Sequence, residues 1–154
     1  MARFTLRTAA EEDLGDLLAL MRAYADFYEV SPPDHALLEM SRALMADPER
    51  EGLQLIARDD TGAAVGFATV FWSWSTLSAG RIGVMNDLFV IPDRRGSGVA
   101  EALISECAKR CAEHGATSMG WQTAKDNLRA QAVYKRVGAT REEWLDYSVT
   151  LAPD

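Results

Sequence analysis

The 154-residue chain holds two cysteines and two histidines, too few and too poorly spaced for most metal or redox chemistry. Cys107 and Cys111 lie four apart on a predicted helix, with His114 three further on. The same face carries Leu103, Ile104 and Ala108, the spacing of a buried stripe, and free cysteine is commonly buried. The other histidine, His35, supplies no second ligand pair. The cysteines therefore read as core, and no metal is expected. Long apolar runs are also missing. A membrane-crossing helix needs about 18 or more such residues, and the richest patch, Ala63 to Trp74, is broken by Gly66, Thr69 and Ser73. The opening MARFTLRTAAEED has no apolar segment of the kind a secretory leader carries, so a cytoplasmic location is expected. Positive charge is in deficit: 16 Lys and Arg stand against 23 Asp and Glu, leaving −7. That balance disfavours nucleic acid and membrane surfaces as partners and favours a cationic small molecule. It is equally the ordinary state of a soluble surface.

Signatures of common nucleotide sites are absent as well. No GxxxxGK[ST] occurs. Gly96-Ser97-Gly98 is followed by Val99, Ala100 and Glu101, so the dinucleotide pattern GxGxxG fails. No GxSxG elbow or Cys/His pair offers a nucleophile. What remains is the run Asn86 to Glu101, NDLFVIPDRRGSGVAE. An apolar strand (Leu88, Phe89, Val90) is halted by Pro92. A basic glycine turn follows, Arg94 to Gly98, and a helix opens at Val99. Glycine lets backbone approach a ligand closely, and first-turn N–H groups lack intrahelical acceptors and favour anions. Arg94 and Arg95 add donors suited to phosphate. A diphosphate is the expected guest.

Arg95-Gly96-Ser97-Gly98-Val99-Ala100 resembles the (R/Q)xxGx(G/A) acetyl-CoA loop of the GCN5-related N-acetyltransferases (GNATs). Downstream, Asn127 to Ala139 (NLRAQAVYKRVGA) resembles that family's second signature, NxxAxxxY followed by a basic pair and a glycine helix exit. The two occur in the family's order, and the resemblance is strongest from Val65 to Leu151. It implies that acetyl-CoA is the co-substrate, with Leu88, Phe89 and Val90 holding the pantetheine and polarising the acetyl carbonyl. It implies that Gly96 to Glu101 take the diphosphate, that Asn127 and Ala130 line the pantetheine arm, and that Tyr134 is the general acid. Plainer roles stay open beside these: Asn127 as a helix N-cap, Ala130 as core, Tyr134 as a packing aromatic.

Within the family the chain is most similar to the diamine (spermidine/spermine-type) branch, through Trp72, Thr76, Asn86 to Val90, Tyr134 to Ala139, Trp144 and Tyr147. That branch has Glu-Asp where this chain has Asn86-Asp87. Asn86 cannot act as a base, though it can position a water. Asp87 can serve only if it faces the cleft, and strand alternation puts it opposite Asn86 unless a bulge intervenes. A structural acceptor role for Asp87 stays open. Tyr24, Phe27, Tyr28 and Glu29 form one aromatic–acidic cluster, and Phe71, Trp72 and Trp74 form another. Tyr28, Glu29, Trp72 and Asn86 are the expected contacts for an amine substrate, since aromatics beside a carboxylate suit a cation. Some of these aromatics fit core or a homodimer contact equally well.

Period-two and period-3.6 patterns predict βααβββαβαβ over a single domain, residues 1–154. Strands are predicted at Phe4 to Arg7, Leu53 to Arg58, Ala64 to Trp74, Arg81 to Val90, Ser118 to Thr123 and Trp144 to Leu151. Thr8 to Glu11 reads as a capping box for a helix marked by Leu14, Leu17, Leu18 and Met21. A second helix covers Asp34 to Met45, a third runs from Val99 to near Gly115, and a fourth spans Asn127 to Val137. Asp59-Asp60-Thr61-Gly62 reads as a hairpin turn. This is α/β with a mixed sheet, and the resemblance implies a sheet splayed at the acetyl-CoA cleft. The expected activity is acetyl transfer to the primary amine of a small molecule. A protein N-terminus or lysine as acceptor, or a non-catalytic acyl-CoA-binding module, fits the same motifs.

Overall fold

A computed structural model describes residues 3–153. Five strands form one mixed sheet in the order β1-β2-β3-β4-β5: Phe4–Thr8, Gly52–Asp59, Ala64–Ser75, Gly80–Val90 and Met119–Gly120. The first four pair antiparallel, and β4 pairs with β5 in parallel. Helices α1 (Leu14–Phe27) and α2 (Asp34–Ala46) cover one face, where Leu17, Leu20 and Met21 pack on Ile56, Phe67 and Phe89. Helices α3 (Val99–Glu113) and α4 (Leu128–Arg136) lie on the other side, over Leu55, Val70, Met85 and Val90.

Cys107 and Cys111 belong to this second core, and burial pushes their thiols up to about 12 and about 11. Backbone approach explains part of that packing. A Cβ on Gly83 would sit 2.3 Å from the Cys111 sulfur, so only glycine lets α3 close on β4 here.

The helix start differs from the predicted capping box. Thr8 is the last residue of β1, and a 3-10 turn over Glu11–Asp13 leads into α1. Asp13 is the capping side chain, accepting from the Ala10 N–H at 2.9 Å. Arg58 pairs with the same carboxylate at 2.9 Å and Arg7 at 2.5 Å. Burial works to raise the Asp13 pKa, but the Ala10 bond and the two arginines outweigh it, and the carboxyl is held below its ordinary value.

Two features of the sheet position the site. The β4–β5 pair is confined to Gly83↔Met119 and Val84↔Gly120. Beyond Val84, β4 runs on to Val90 without that neighbour, and the sheet opens there. The strand predicted over Ser118 to Thr123 is thus reduced to Met119–Gly120. The second feature is a bulge on β4. Thr69 pairs with Asp87 and Val70 with Met85, so Asn86 has no partner on β3.

The predicted last strand is corrected: residues 139–153 carry no regular structure. Leu145, Tyr147, Val149 and Leu151 alternate as a strand would, yet each is at least 80% exposed. Alternation needs an edge to pair with, and β5 offers two paired residues. The contact recorded for this segment near β5 is a side-chain bond from Gln122 to Asp146 at 2.8 Å.

Candidate active site

The opening between β4 and α4 is a cleft of about 450 Å³. Leu88, Phe89 and Val90 form one wall. Asn127, Ala130, Val133 and Tyr134 form the other, and Arg95, Gly96, Ala100 and Glu101 close the end. Asn127 caps α4, its Oδ1 accepting from the Ala130 N–H at 3.2 Å. It therefore does the N-cap work and lines the cleft at once.

The glycine loop is built by positive φ. Gly96 (+80°) and Gly98 (+91°) lie where L side chains are strained, and the space a Cβ would take at either is empty of protein atoms within 4 Å. Gly98 precedes the first turn of α3, leaving the next N–H groups without intrahelical acceptors. Three expected contacts take other places. The Ser97 hydroxyl donates to the Arg94 carbonyl and closes the turn. The Gly98 side of the loop and the Val99 side chain do not line the cleft, and Val99 is buried in the core beneath it.

Four arginines ring this end of the cleft: Arg94, Arg95, Arg129 and Arg136. Arg94 is tied to Asp59 at 3.0 Å and Arg136 to Glu101 at 2.7 Å. Among the described residues Arg95 and Arg129 make no ion pair. Burial, and then the Arg129 charge, depress the Arg95 pKa. Two neighbouring guanidinium groups without a carboxylate form an anion site with unspent charge. Empty space in front of the glycines, free N–H groups and this charge fit the diphosphate of a CoA thioester. Arg129 and Arg136 were not singled out from the sequence. The signal available was their place within the Asn127 to Ala139 run.

A second cavity of about 330 Å³ lies between α1, α2 and the β4 bulge. Met21, Tyr24, Ala25 and Tyr28 give it one wall, at the i, i+3, i+4, i+7 spacing of a helix face. Leu37, Met40 and Phe67 close it, and Val30 and Pro32 stand in the segment joining the helices. Asn86 and Asp87 both line it. The bulge does this, because regular alternation would have sent Asn86 to the α3 face, where Met85 now packs.

Asp87 is buried and its Oδ1 has no hydrogen-bond partner. Burial raises its pKa to about 6, against opposing pulls from Thr69 and Asn86. Asn86 Nδ2 reaches the other oxygen only at 3.5 Å. A buried carboxylate with one unpartnered oxygen, lining a largely apolar cavity, is set up to receive a cation or a proton.

Tyr24 and Tyr28 line both cavities. Their rings meet edge to face, 5.1 Å apart. Tyr24 is pushed well above its ordinary pKa by burial and next by the Asp87 charge. Tyr134, edge-on to Trp121 at 5.3 Å, is also raised by burial, with Thr123 pulling the other way. Both phenols stay protonated at neutral pH and can donate.

The other expected substrate contacts lie elsewhere. Trp72 stacks on His114 with ring centroids 4.1 Å apart and donates to the Pro48 carbonyl at 2.7 Å. It packs against the α3-side core, away from both cavities. Glu29 sits just past α1 at φ +57° and lines neither cavity. Phe71 and Trp74 line neither either. Among the described residues no group of three His, Cys, Asp or Glu is placed to hold a metal, and no helix is long and apolar enough to cross a membrane.

A sheet splayed around a basic cleft, with a second cavity meeting it at two tyrosines, defines a domain for group transfer between two substrates. Residues 17–139 match the acetyltransferase (GNAT) family, and the chain belongs to that family. It is an N-acetyltransferase by the company it keeps. A mouse thialysine N-epsilon-acetyltransferase is 26% identical over 161 residues, covering 96% of this chain and 92% of its own. A D-amino-acid N-acetyltransferase of Saccharomyces cerevisiae is 32% identical over 120 residues, 77% of this chain and 73% of that one. Among solved structures, AAC(6')-Iy in complex with the bisubstrate analog CoA-S-monomethyl-acetylneamine shares the fold at a TM-score of 0.81 and 22% identity, over 97% of this chain and 99% of that one.

Proposed function

We propose that this chain transfers the acetyl group of acetyl-CoA to the primary amine of a small molecule. One observation carries the reading: the basic cleft holding Tyr134 and the apolar cavity holding Asp87 meet at Tyr24 and Tyr28. The relatives that act on thialysine and D-amino acids support a small amine over a protein chain.

An alkyl amine is an ammonium near neutral pH, with a pKa of about 10.4. Asp87, ionised above about pH 6, binds that ammonium through its free oxygen. The apolar walls disfavour the charged form of the amine and lower its pKa. Asp87, directly or through a water positioned by Asn86, takes the proton and frees the nitrogen lone pair. The thioester supplies the electrophilic acetyl carbon. Arg95, Arg129 and the first-turn N–H groups of α3 hold the diphosphate, and the β4 segment Leu88 to Val90 orients the thioester arm toward the tyrosine wall. As the nitrogen–carbon bond forms and the carbon–sulfur bond breaks, the Tyr134 phenol gives its proton to the departing sulfur. The second nitrogen proton returns to the Tyr134 phenolate and Asp87 releases its own to solvent, so one amide, one thiol and one proton result.

Thiol release measured alongside mass-spectrometric detection of acetylated amine tests the reading. Equal amounts of the two products are expected. Acetyl-CoA binding without turnover across a broad amine panel would make the chain a binding module.

A further inference from the structure

The Asp87 cavity has one charge, and apart from Asn86, Tyr24 and Tyr28 its lining is apolar. Met21, Val30, Pro32, Leu37, Met40 and Phe67 supply most of its surface. The nearby carboxylates are placed elsewhere: Glu29 lines neither cavity, and Asp34 is bound by Arg22. Tyr28 and Val30, about half exposed, mark the mouth.

A single ammonium suits the floor. It can meet the unpartnered Asp87 oxygen and the face of Tyr24, whose titration feels the Asp87 charge. A second ammonium held within the cavity would lie against Leu37, Met40 or Phe67 and meet no carboxylate. A buried charge with no partner is strongly disfavoured there. A carboxylate on the carbon bearing the amine would be carried toward Asp87 itself, and like charges at close range repel. The body of the acceptor should therefore be apolar and uncharged.

We propose that the acceptor is a primary monoamine on an apolar body, an alkyl or arylalkyl amine, and that diamines and amino acids are discriminated against. The proposal rests on the acetyl-transfer reading and narrows it. It sets this chain apart from relatives named for thialysine and D-amino acids.

The test compares length-matched acceptors with the purified full chain and acetyl-CoA: hexylamine, 1,6-diaminohexane and lysine, with 2-phenylethylamine as the aryl case. The expected kcat/KM for hexylamine and 2-phenylethylamine exceeds that for the diamine and lysine by at least about tenfold, the effect of one unpaired buried charge. Calorimetric binding of the same amines to CoA-saturated protein should give the same ranking. Met40→Glu, which sets a carboxylate on the far wall, should move the preference toward the diamine. A diamine or lysine used as well as hexylamine by the unaltered protein would overturn the proposal while leaving acetyl transfer intact. No turnover with any amine, with hexylamine still bound most tightly, would overturn the transfer reading instead. No turnover and no amine binding would overturn both.

Discussion

Asn86 and Asp87 are consecutive in a strand and nevertheless face the same cavity. The bulge opposite Thr69 and Val70 makes this possible by leaving Asn86 outside the ladder. It places a polar pair on the α1 face while Met85 packs on the opposite side.

Asp87 holds its place at the expense of stability. Its pKa rises from 3.8 in the unfolded chain to about 6, so the native state binds the extra proton between those values. Stability is therefore fully restored below 3.8 and lost as pH rises through about 6, by about 3 kcal/mol in total. Asp87→Asn should raise the melting temperature at pH 8, and the gain should shrink toward pH 4. The same variant should lose about 10²–10⁴-fold in kcat. Thermal unfolding at the two pH values, alongside turnover, checks both halves. A variant less stable than the parent at pH 8 would mean that the carboxylate is a structural acceptor.

In the active protein, protonation of Asp87 should shut down amine binding and activation. The kcat/KM profile should fall as pH drops through about 6. Asn86→Glu would set a second carboxylate beside Asp87 and push that limb to higher pH, because two neighbouring carboxylates resist joint ionisation. A pH–rate series on the two proteins reads the shift directly.

Tyr134→Phe should reduce kcat by about 10²–10⁴-fold with acetyl-CoA affinity and melting temperature nearly unchanged. Removing a merely structural hydroxyl would instead reduce stability by about 0.5–1.5 kcal/mol. Single-turnover rates avoid masking by slow product release, and rates equal to the parent would leave Tyr134 as a wall residue.

The glycine loop separates charge from strain. Gly96 lies at φ +80° with no protein atom within 4 Å of a built Cβ. Alanine is the less comfortable residue at such a φ, and aspartate the more tolerant one. Gly96→Asp should nevertheless weaken acetyl-CoA binding far more than Gly96→Ala, because Gly96 lines the cleft and only aspartate sets a negative charge against the diphosphate. Calorimetry on the two variants settles the comparison, and equal losses would assign the effect to backbone strain.

The glycine loop and the Asn127 to Ala139 helix were legible in the sequence because their chemistry sits in residue types at fixed spacing. Strands β1 to β4 were legible from alternation between clear turns. The side on which Asp87 faces was not, since period two places neighbours on opposite faces and a bulge leaves no compositional mark. Trp72 shows another limit: an aromatic on β3 among other aromatics looks like a ligand wall, but its ring found His114 across the α3 side. The alternating tail from Trp144 to Leu151 shows a third. Its pattern carries strand propensity, and a strand also needs a neighbouring edge that local sequence does not specify.

The most direct measurement is a crystal structure with a bisubstrate conjugate in which hexylamine is joined through an acetyl bridge to the sulfur of CoA. The account predicts the diphosphate against Gly96, Arg95 and Arg129, the thioether passing between Leu88 to Val90 and Tyr134, and the amine nitrogen within hydrogen-bond reach of Asp87 with the alkyl chain among Leu37, Met40 and Phe67. A conjugate bound with its CoA arm outside the β4–α4 cleft, or with its nitrogen remote from Asp87, would contradict it.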